Sequence, residues 1–250
     1  MLKVAAIIEA RMGSSRLPGK IMMDILGKPA LGRMIERVRR SQRIQQIIVA
    51  TTVDGADDTT EALCQELGVQ CFRGSNEDVM DRVLSAAKQH QVDVIVELTA
   101  DCPLIDPQII DAITGEFLQG AHDIETAKWD LVMNQPGNSY PRGMGARVFL
   151  TQALDKASQL TQDTADREHV SIYIYDHPEK FRVKFLAPPP DLYRPDLRMT
   201  VDVPEDLEFT RKIYAKLYAL NPQFSLRDIL ALIQREPELL KINTHIQQKP

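Results

Sequence analysis

Between Glu9 and Lys20 the chain reads EARMGSSRLPGK, directly after the apolar run KVAAII. Arg11, Arg16 and Lys20 supply positive charge, and Ser14 and Ser15 add hydroxyl donors. Gly13 and Gly19 permit backbone conformations that other residues avoid. In open α/β sheets ligands bind beyond the carboxyl ends of the strands, so this set predicts a cradle for a polyphosphate. A standard P-loop does not fit: Gly13 to Gly19 is one residue too long, and Ile21 stands where the magnesium-binding hydroxyl belongs. A dinucleotide fingerprint is absent as well, because no G-x-G-x-x-G occurs here. The bland alternative is a solvated loop with snorkelling arginines, and the position of the loop and its glycines favour the cradle.

Attack on a nucleotide phosphate asks for positioning, charge neutralisation and a hard metal more than for covalent help. Asp101, in TADCPLIDP, follows the apolar run VDVIVEL at the same carboxyl edge as the cradle. Carboxylate oxygens are what Mg²⁺ selects, so Asp101 is the first candidate metal ligand. The competing role, capping a helix, suits Asp106 better, since Pro107 behind it takes a favoured first helical position. A second carboxylate stands in TVDVPEDLEF, where Asp202 with Glu205 also fits a capping box for a helix from Pro204. Cys102 beside Asp101 has no histidine partner in view and reads as a small buried thiol. No serine triad, metalloprotease helix or paired-cysteine zinc site is present in the sequence.

The elements that must hold these residues follow from periodicity. Short β-branched runs predict strands at KVAAII, QIIVAT, VQCF and VDVIVEL, and helical spacing predicts helices over residues 30–40, 57–67 and 77–90. The alternation is that of βαβ units around a parallel sheet buried on both faces. The second half predicts a loop rich in Gly, Pro and Asn at MNQPGNSYPRGMG, a strand at ARVF, and helices over 151–158 and 164–175. A strand FRVKFLA, the rigid turn PPP, a short strand LRMTV and the long helix from Pro204 complete it. With no linker, repeat or low-complexity segment, a single domain over 1–235 and a C-terminal tail over 236–250 are expected.

Composition limits the partners. A chain of 250 residues, 44% hydrophobic, is ample for one packed α/β domain. Its net charge of −5 carries no general footprint for nucleic acid or anionic membrane, so any anion site must be local. Three cysteines without a C-x-x-C pair suit a reducing cytoplasm, and no run approaches a membrane span or a signal-peptide core.

The segments AIIEARMGSSRLPGK, DILGKPAL, IIVATT, FRGSNEDVMDR, TADCPLIDP, DREHVSIYI and TVDVPEDLEF, in this order, resemble the cytidylyltransferases related to spore coat polysaccharide biosynthesis protein F. More distantly they are similar to CMP-KDO and CMP-sialic acid synthetases. The likeness runs to about Tyr214. It implies a three-layer α/β/α, Rossmann-like nucleotide-diphosphosugar-transferase fold with a mixed, mostly parallel sheet. It further implies Mg²⁺-dependent transfer of CMP from CTP to a sugar or sugar-acid acceptor with release of pyrophosphate, for glycan biosynthesis. CTP as the nucleotide comes from the resemblance alone, and a homodimer is common among the related synthetases. Carried over residue by residue, Arg11, Lys20 and Asp101 are catalytic and Asp202 joins Asp101 at the metal. Gly13, Ser14, Ser15, Arg16, Arg73 and Ser75 join Arg11 and Lys20 at the nucleotide, although Ser75 also suits a helix cap. Glu168 and His169, in REHV, are acceptor-site candidates beside Tyr140, Arg142 and Arg147.

The stretch YPRGMGARVF is unlike that of relatives that read like YPDGLDVEVF: three acidic positions are Arg142, Gly145 and Arg147 here. An arginine pair favours a carboxylate or phosphate through bidentate hydrogen bonds, which predicts an anionic acceptor. Two rival classes remain, a glycosyltransferase on the same type of fold and a non-catalytic nucleotide-binding homologue. The first would more naturally carry a D-x-D motif near the middle of the sequence, and retention of both Asp101 and Asp202 argues against the second.

Overall fold

The computed structural model describes residues 2–134 and 139–247. Strand β1 (Val4–Glu9) leads through a short hairpin of β2 (Asp24–Ile25) and β3 (Lys28–Pro29) into helix α1 (Ala30–Val38). Then follow β4 (Gln46–Thr52), α2 (Asp58–Leu67), β5 (Gln70–Gly74), α3 (Val79–Gln89), β6 (Val94–Thr99) and α4 (Pro107–Leu118). The second half adds β7 (Leu131–Met133), β8 (Arg147–Leu150), α5 (Thr151–Leu160), α6 (Thr164–Glu168) and α7 (Ile172–Asp176). It closes with β9 (Val183–Phe185), α8 (Pro204–Leu217) and α9 (Leu226–Arg235).

The main sheet has the order β5-β4-β1-β6-β8-β7-β9, and only β8 runs against its neighbours. This is the mixed, mostly parallel sheet that the resemblance implies. β1 steps outward to β4 and β5, whereas α3 carries the polypeptide back across to β6. Right-handed crossovers in opposite directions put their helices on opposite faces, which gives the α/β/α layering. Accordingly α3 packs with α5 and α6, while α1 packs with α4. The direction reverses between β1 and β6, whose carboxyl ends therefore flank a crevice suited to a ligand. β1, β4 and β6 are almost wholly buried, as continuous apolar runs covered on both faces should be.

The structure differs from the sequence-based expectation where tertiary contacts override local pattern. The helix expected over 164–175 breaks into α6 and α7, because the fully buried Val170 between them turns at φ 51°. FRVKFLA contributes only the three residues of β9, and LRMTV forms a single parallel bridge, Arg142 to Arg198. The expected tail packs through much of its length: residues 237–242 form a 3-10 helix and Leu239 and Asn243 are buried. Asn243 Nδ2 donates to the Arg198 carbonyl and to Asp206. Residues 135–138 of the expected Gly, Pro and Asn-rich loop and residues 248–250 of the tail lie outside the described residues. Among the described residues no helix is long and apolar enough to cross a membrane.

Candidate active site

The cradle leaves β1 as a series of backbone turns. The amides of Ser14 and Gly19 both donate to the Met12 carbonyl, at 2.9 and 3.0 Å. Met12 in turn donates its amide to buried Asp57, at 2.7 Å, which moors the loop to the end of β4. Gly19 sits at φ 69°, a left-handed conformation that aims the next residue back into the crevice. That residue, Lys20, places Nζ 2.9 Å from Asp202 Oδ1 and 3.3 Å from Asp101 Oδ2. Residues from the segments that follow β1, follow β6 and precede α8, 182 positions apart in sequence at the extreme, thus meet around one ammonium.

Both carboxylates are oriented before any ligand arrives. Thr99 donates to Asp101 Oδ1 at 2.7 Å, and Asp202 receives Arg16 at 3.0 Å and Arg198 at 2.8 Å besides Lys20. Burial alone raises the Asp202 pKa and lowers that of Lys20, yet their pairing outweighs it: Asp202 titrates below and Lys20 above the ordinary value. Both stay charged at neutral pH. Burial, with the Asp101 charge beside it, pushes the Cys102 thiol well up, which makes it an inert wall rather than a nucleophile. The cavity over the cradle measures about 410 Å³ and takes in Arg11, Gly13, Ser14, Ser15, Arg16, Lys20, Asp101 and Asp202. Glu168 and His169, at the end of α6, close its far side, with Glu168 Oε1 3.5 Å from Arg11 Nη2.

A second cavity of about 540 Å³ adjoins the first, and Thr99, Asp101 and His169 belong to both. Tyr140, Arg142, Arg147 and Arg198 line it. The bridge between residues 142 and 198 puts two arginines side by side through backbone bonds of 2.8 Å in each direction. Gly143 makes this approach feasible: it sits at φ 95°, and a Cβ there would lie 2.8 Å from the Met199 carbonyl carbon. Arg198 is held by Asp202 and Asp206. Burial, and then the Arg198 charge, lower the Arg142 pKa, the mark of a cation among too few anions. The loop that carries Arg11, Arg16 and Lys20, the Lys20–Asp101–Asp202 cluster and the cavity lined by Arg142 thus open onto one another at the reversal of the sheet.

Comparison with known proteins decides the family. The cytidylyltransferase family model matches residues 5–231. This chain belongs to the cytidylyltransferase family. It is 33% identical to spore coat polysaccharide biosynthesis protein SpsF of Bacillus subtilis, over 95% of this chain and 97% of that protein. A solved cytidylyltransferase from Leptospira borgpetersenii is 34% identical and superposes with a TM-score of 0.90, covering 99% of this chain and all of its own. A CMP:2-keto-3-deoxy-manno-octonic acid synthetase solved with CTP shares the fold, with TM-score 0.64 and 20% identity over 86% of this chain and 99% of that one.

Within this member of the cytidylyltransferase family, two residues expected at the nucleotide are elsewhere. Arg73 is spent on the sheet edge: Nε and Nη2 donate to the carbonyls of Thr52 and Asp54, and Nη1 meets Asp58 and Glu61 at 2.6 and 2.9 Å. Ser75 Oγ accepts the Asp78 amide at 3.0 Å, ahead of α3, and does not reach the cavity. Arg82 is buried under the cavity, and Asp78 takes Arg167 of α6. That pair clamps α6, and with it Glu168 and His169, to the start of α3. The capping box also shifts by one residue: Asp206, not Glu205, accepts the amides of Asp202 and Val203 at the start of α8. Asp202 is thereby free to face Lys20.

Arg147 lines the second cavity, but its charge is already answered. It pairs with Glu97, its partner across β8 and β6. Glu9 lies on the same sheet face, one strand over, and its pKa is raised well above the ordinary value by burial and by Glu97. Sequence reasoning missed Glu9, Glu97, Arg82 and Arg198. Glu97 carried a signal, an ionised residue inside the buried run VIVELT, where charge persists only with a partner.

Proposed function

We propose that this protein transfers CMP from CTP to an anionic sugar-type acceptor, releasing pyrophosphate, as a step of glycan assembly in the cytoplasm. The observation that carries the proposal is the convergence of Lys20, Asp101 and Asp202 between a polyphosphate cradle and a second cavity that holds Arg142. Arg11, Arg16 and Lys20 would bind the triphosphate and neutralise charge that grows on it during displacement. Asp101 and Asp202 already hold one cation between hard oxygens, which fits Mg²⁺. Among the described residues no group of three or more His, Cys, Asp or Glu gathers as a metal site, so these two carboxylates would share the ion with phosphate oxygens and water. When bound, Mg²⁺ neutralises phosphate charge. Arg16 and Lys20 exchange their carboxylate partners for phosphate oxygens.

The acceptor belongs in the adjoining cavity, within reach of the α-phosphate across the shared wall of Thr99, Asp101 and His169. Its anionic character rests on Arg142, which makes no ion pair among the described residues. The synthetase of like fold acts, by its name, on an octonic acid, and a carboxylate of that kind suits a guanidinium. The test is to incubate the protein with each nucleoside triphosphate, Mg²⁺ and a panel of sugar acids, sugar phosphates and neutral sugars, following pyrophosphate. Release with CTP and an anionic sugar, stopped by chelator, supports the proposal. Release only with another nucleotide or a neutral sugar contradicts it.

A further inference from the structure

Two buried groups at the nucleotide cavity take no part in the steps above. Glu9 ends β1 at the cavity wall, and its Oε1 is buried without a hydrogen-bond partner. Arg82, in the first turn of α3, lines the same wall, and its Nε is likewise buried and unpartnered. Arg82 Nη1 donates to the Ser75 carbonyl at 2.5 Å, which fixes the plane of the guanidinium. Its charge acts directly on Glu9. Val79, three residues before Arg82 on the same helix face, adds an apolar surface beside them. An acceptor and a donor left unpaired at a cavity wall are costly, so a ligand that satisfies both gains what the empty site forfeits.

The cavity divides by charge. Arg11, Arg16 and Lys20 stand on the loop beyond the strand, whereas Glu9, Val79 and Arg82 stand where the cavity meets the sheet and α3. A glutamyl side chain is a poor neighbour for phosphate, so the nucleoside end of the ligand belongs against it. We infer that Glu9 and Arg82 read the hydrogen-bonding edge of the pyrimidine and select cytosine over uracil. This rests on the cytidylyltransferase reading above. Cytosine presents its N4 amino donor beside the N3 acceptor: Glu9 Oε1 accepts from N4, and Arg82 Nε donates to N3. Uracil presents the reverse, with O4 facing the carboxyl oxygen and N3–H facing the Nε–H of Arg82. Two acceptor oxygens and two N–H groups then oppose each other. A site built from buried hydrogen-bonding groups rejects a mismatched analogue strongly.

The experiment is calorimetric titration of CTP and of UTP into wild type, Glu9→Ala and Glu9→Gln at fixed salt and Mg²⁺, with melting curves to establish that each variant is folded. Wild type binds CTP at least about tenfold tighter than UTP. Glu9→Ala weakens CTP by about tenfold and leaves UTP nearly unchanged, and Glu9→Gln, whose amide can donate to O4, narrows the ratio by strengthening UTP. A ratio unchanged in both variants, or an equal loss for both nucleotides, overturns the inference and leaves Glu9 a structural residue. Wild type that binds the two nucleotides equally overturns the base reading alone. Wild type that binds neither overturns the cytidylyltransferase reading as well.

Discussion

Lys20 is the residue on which the site turns, because it sits between the two carboxylates of the proposed metal site. Removing it, or Arg16, deletes a charge-assisted contact to phosphate while the other cations keep Asp202 paired. Lys20→Ala and Arg16→Ala should each weaken CTP binding by about tenfold or more, with little change in melting temperature, as read by titration and by a thermal scan. Two arginines of the proposed acceptor cavity, Arg142 and Arg147, should behave differently from each other. Arg142 makes no ion pair among the described residues, so Arg142→Asp should raise the acceptor KM with a near-normal melting temperature. Arg147 is committed to buried Glu97, and Arg147→Glu would set two carboxylates opposite each other with Glu9 near by. That variant should lose about 3–5 kcal/mol of stability, measured by denaturant unfolding. Glu9 sets the pH trend. Its folded pKa lies above the unfolded value of about 4.3, so the folded state holds the proton longer and stability falls as pH rises from there through the folded pKa. Glu9→Gln removes that loss, and should melt higher than wild type at pH 8 with the gain shrinking toward pH 4; a gain independent of pH would contradict the assignment.

At the scale of elements, the site depends on segments that no single motif specifies. The bridge between residues 142 and 198 aligns two arginines only because Gly143 tolerates φ 95° and leaves room for the Met199 backbone. Gly143→Ala should therefore cost about 1–3 kcal/mol and raise the acceptor KM more than the CTP KM, since the cradle belongs to other strands. Equal effects on both would show that the bridge does not act on the acceptor cavity specifically. Much of this level was legible. The apolar runs of β1, β4 and β6 announced a parallel core, and Asp106 caps α4 as its pattern predicts. The rest was not, for physical reasons. β7 has three residues, too few for a period to register, and of the expected strand FRVKFLA only the three residues of β9 pair into the sheet. The break between α6 and α7 is imposed by burial of Val170, a tertiary event.

For the whole molecule, the reversal of strand order between β1 and β6 explains why residues near positions 20, 101 and 202 form one constellation. Of the residues that the motif set names, Arg11, Gly13, Ser14, Ser15, Arg16, Lys20, Asp101 and Asp202 line one cavity. The set misplaced Arg73, because a basic residue at a strand end looks alike whether it faces a ligand or, as here, binds the carbonyls of a sheet edge. It also missed Arg198, whose partners Asp202 and Asp206 become neighbours only once α8 is seated. The central claim is transfer of a cytidylyl group, and the measurement that tests it most directly is phosphorus NMR of the products. Wild type is mixed with CTP, Mg²⁺ and an anionic sugar, beside an Asp101→Asn control that retains nucleotide binding. The account predicts one new link from CMP to the sugar for each pyrophosphate in the wild-type reaction, a phosphodiester where a hydroxyl attacks and a phosphoanhydride where a sugar phosphate does, and neither product with Asp101→Asn. Intact CTP in the wild-type sample across the acceptor panel, or the same product from Asp101→Asn at the wild-type rate, would contradict it.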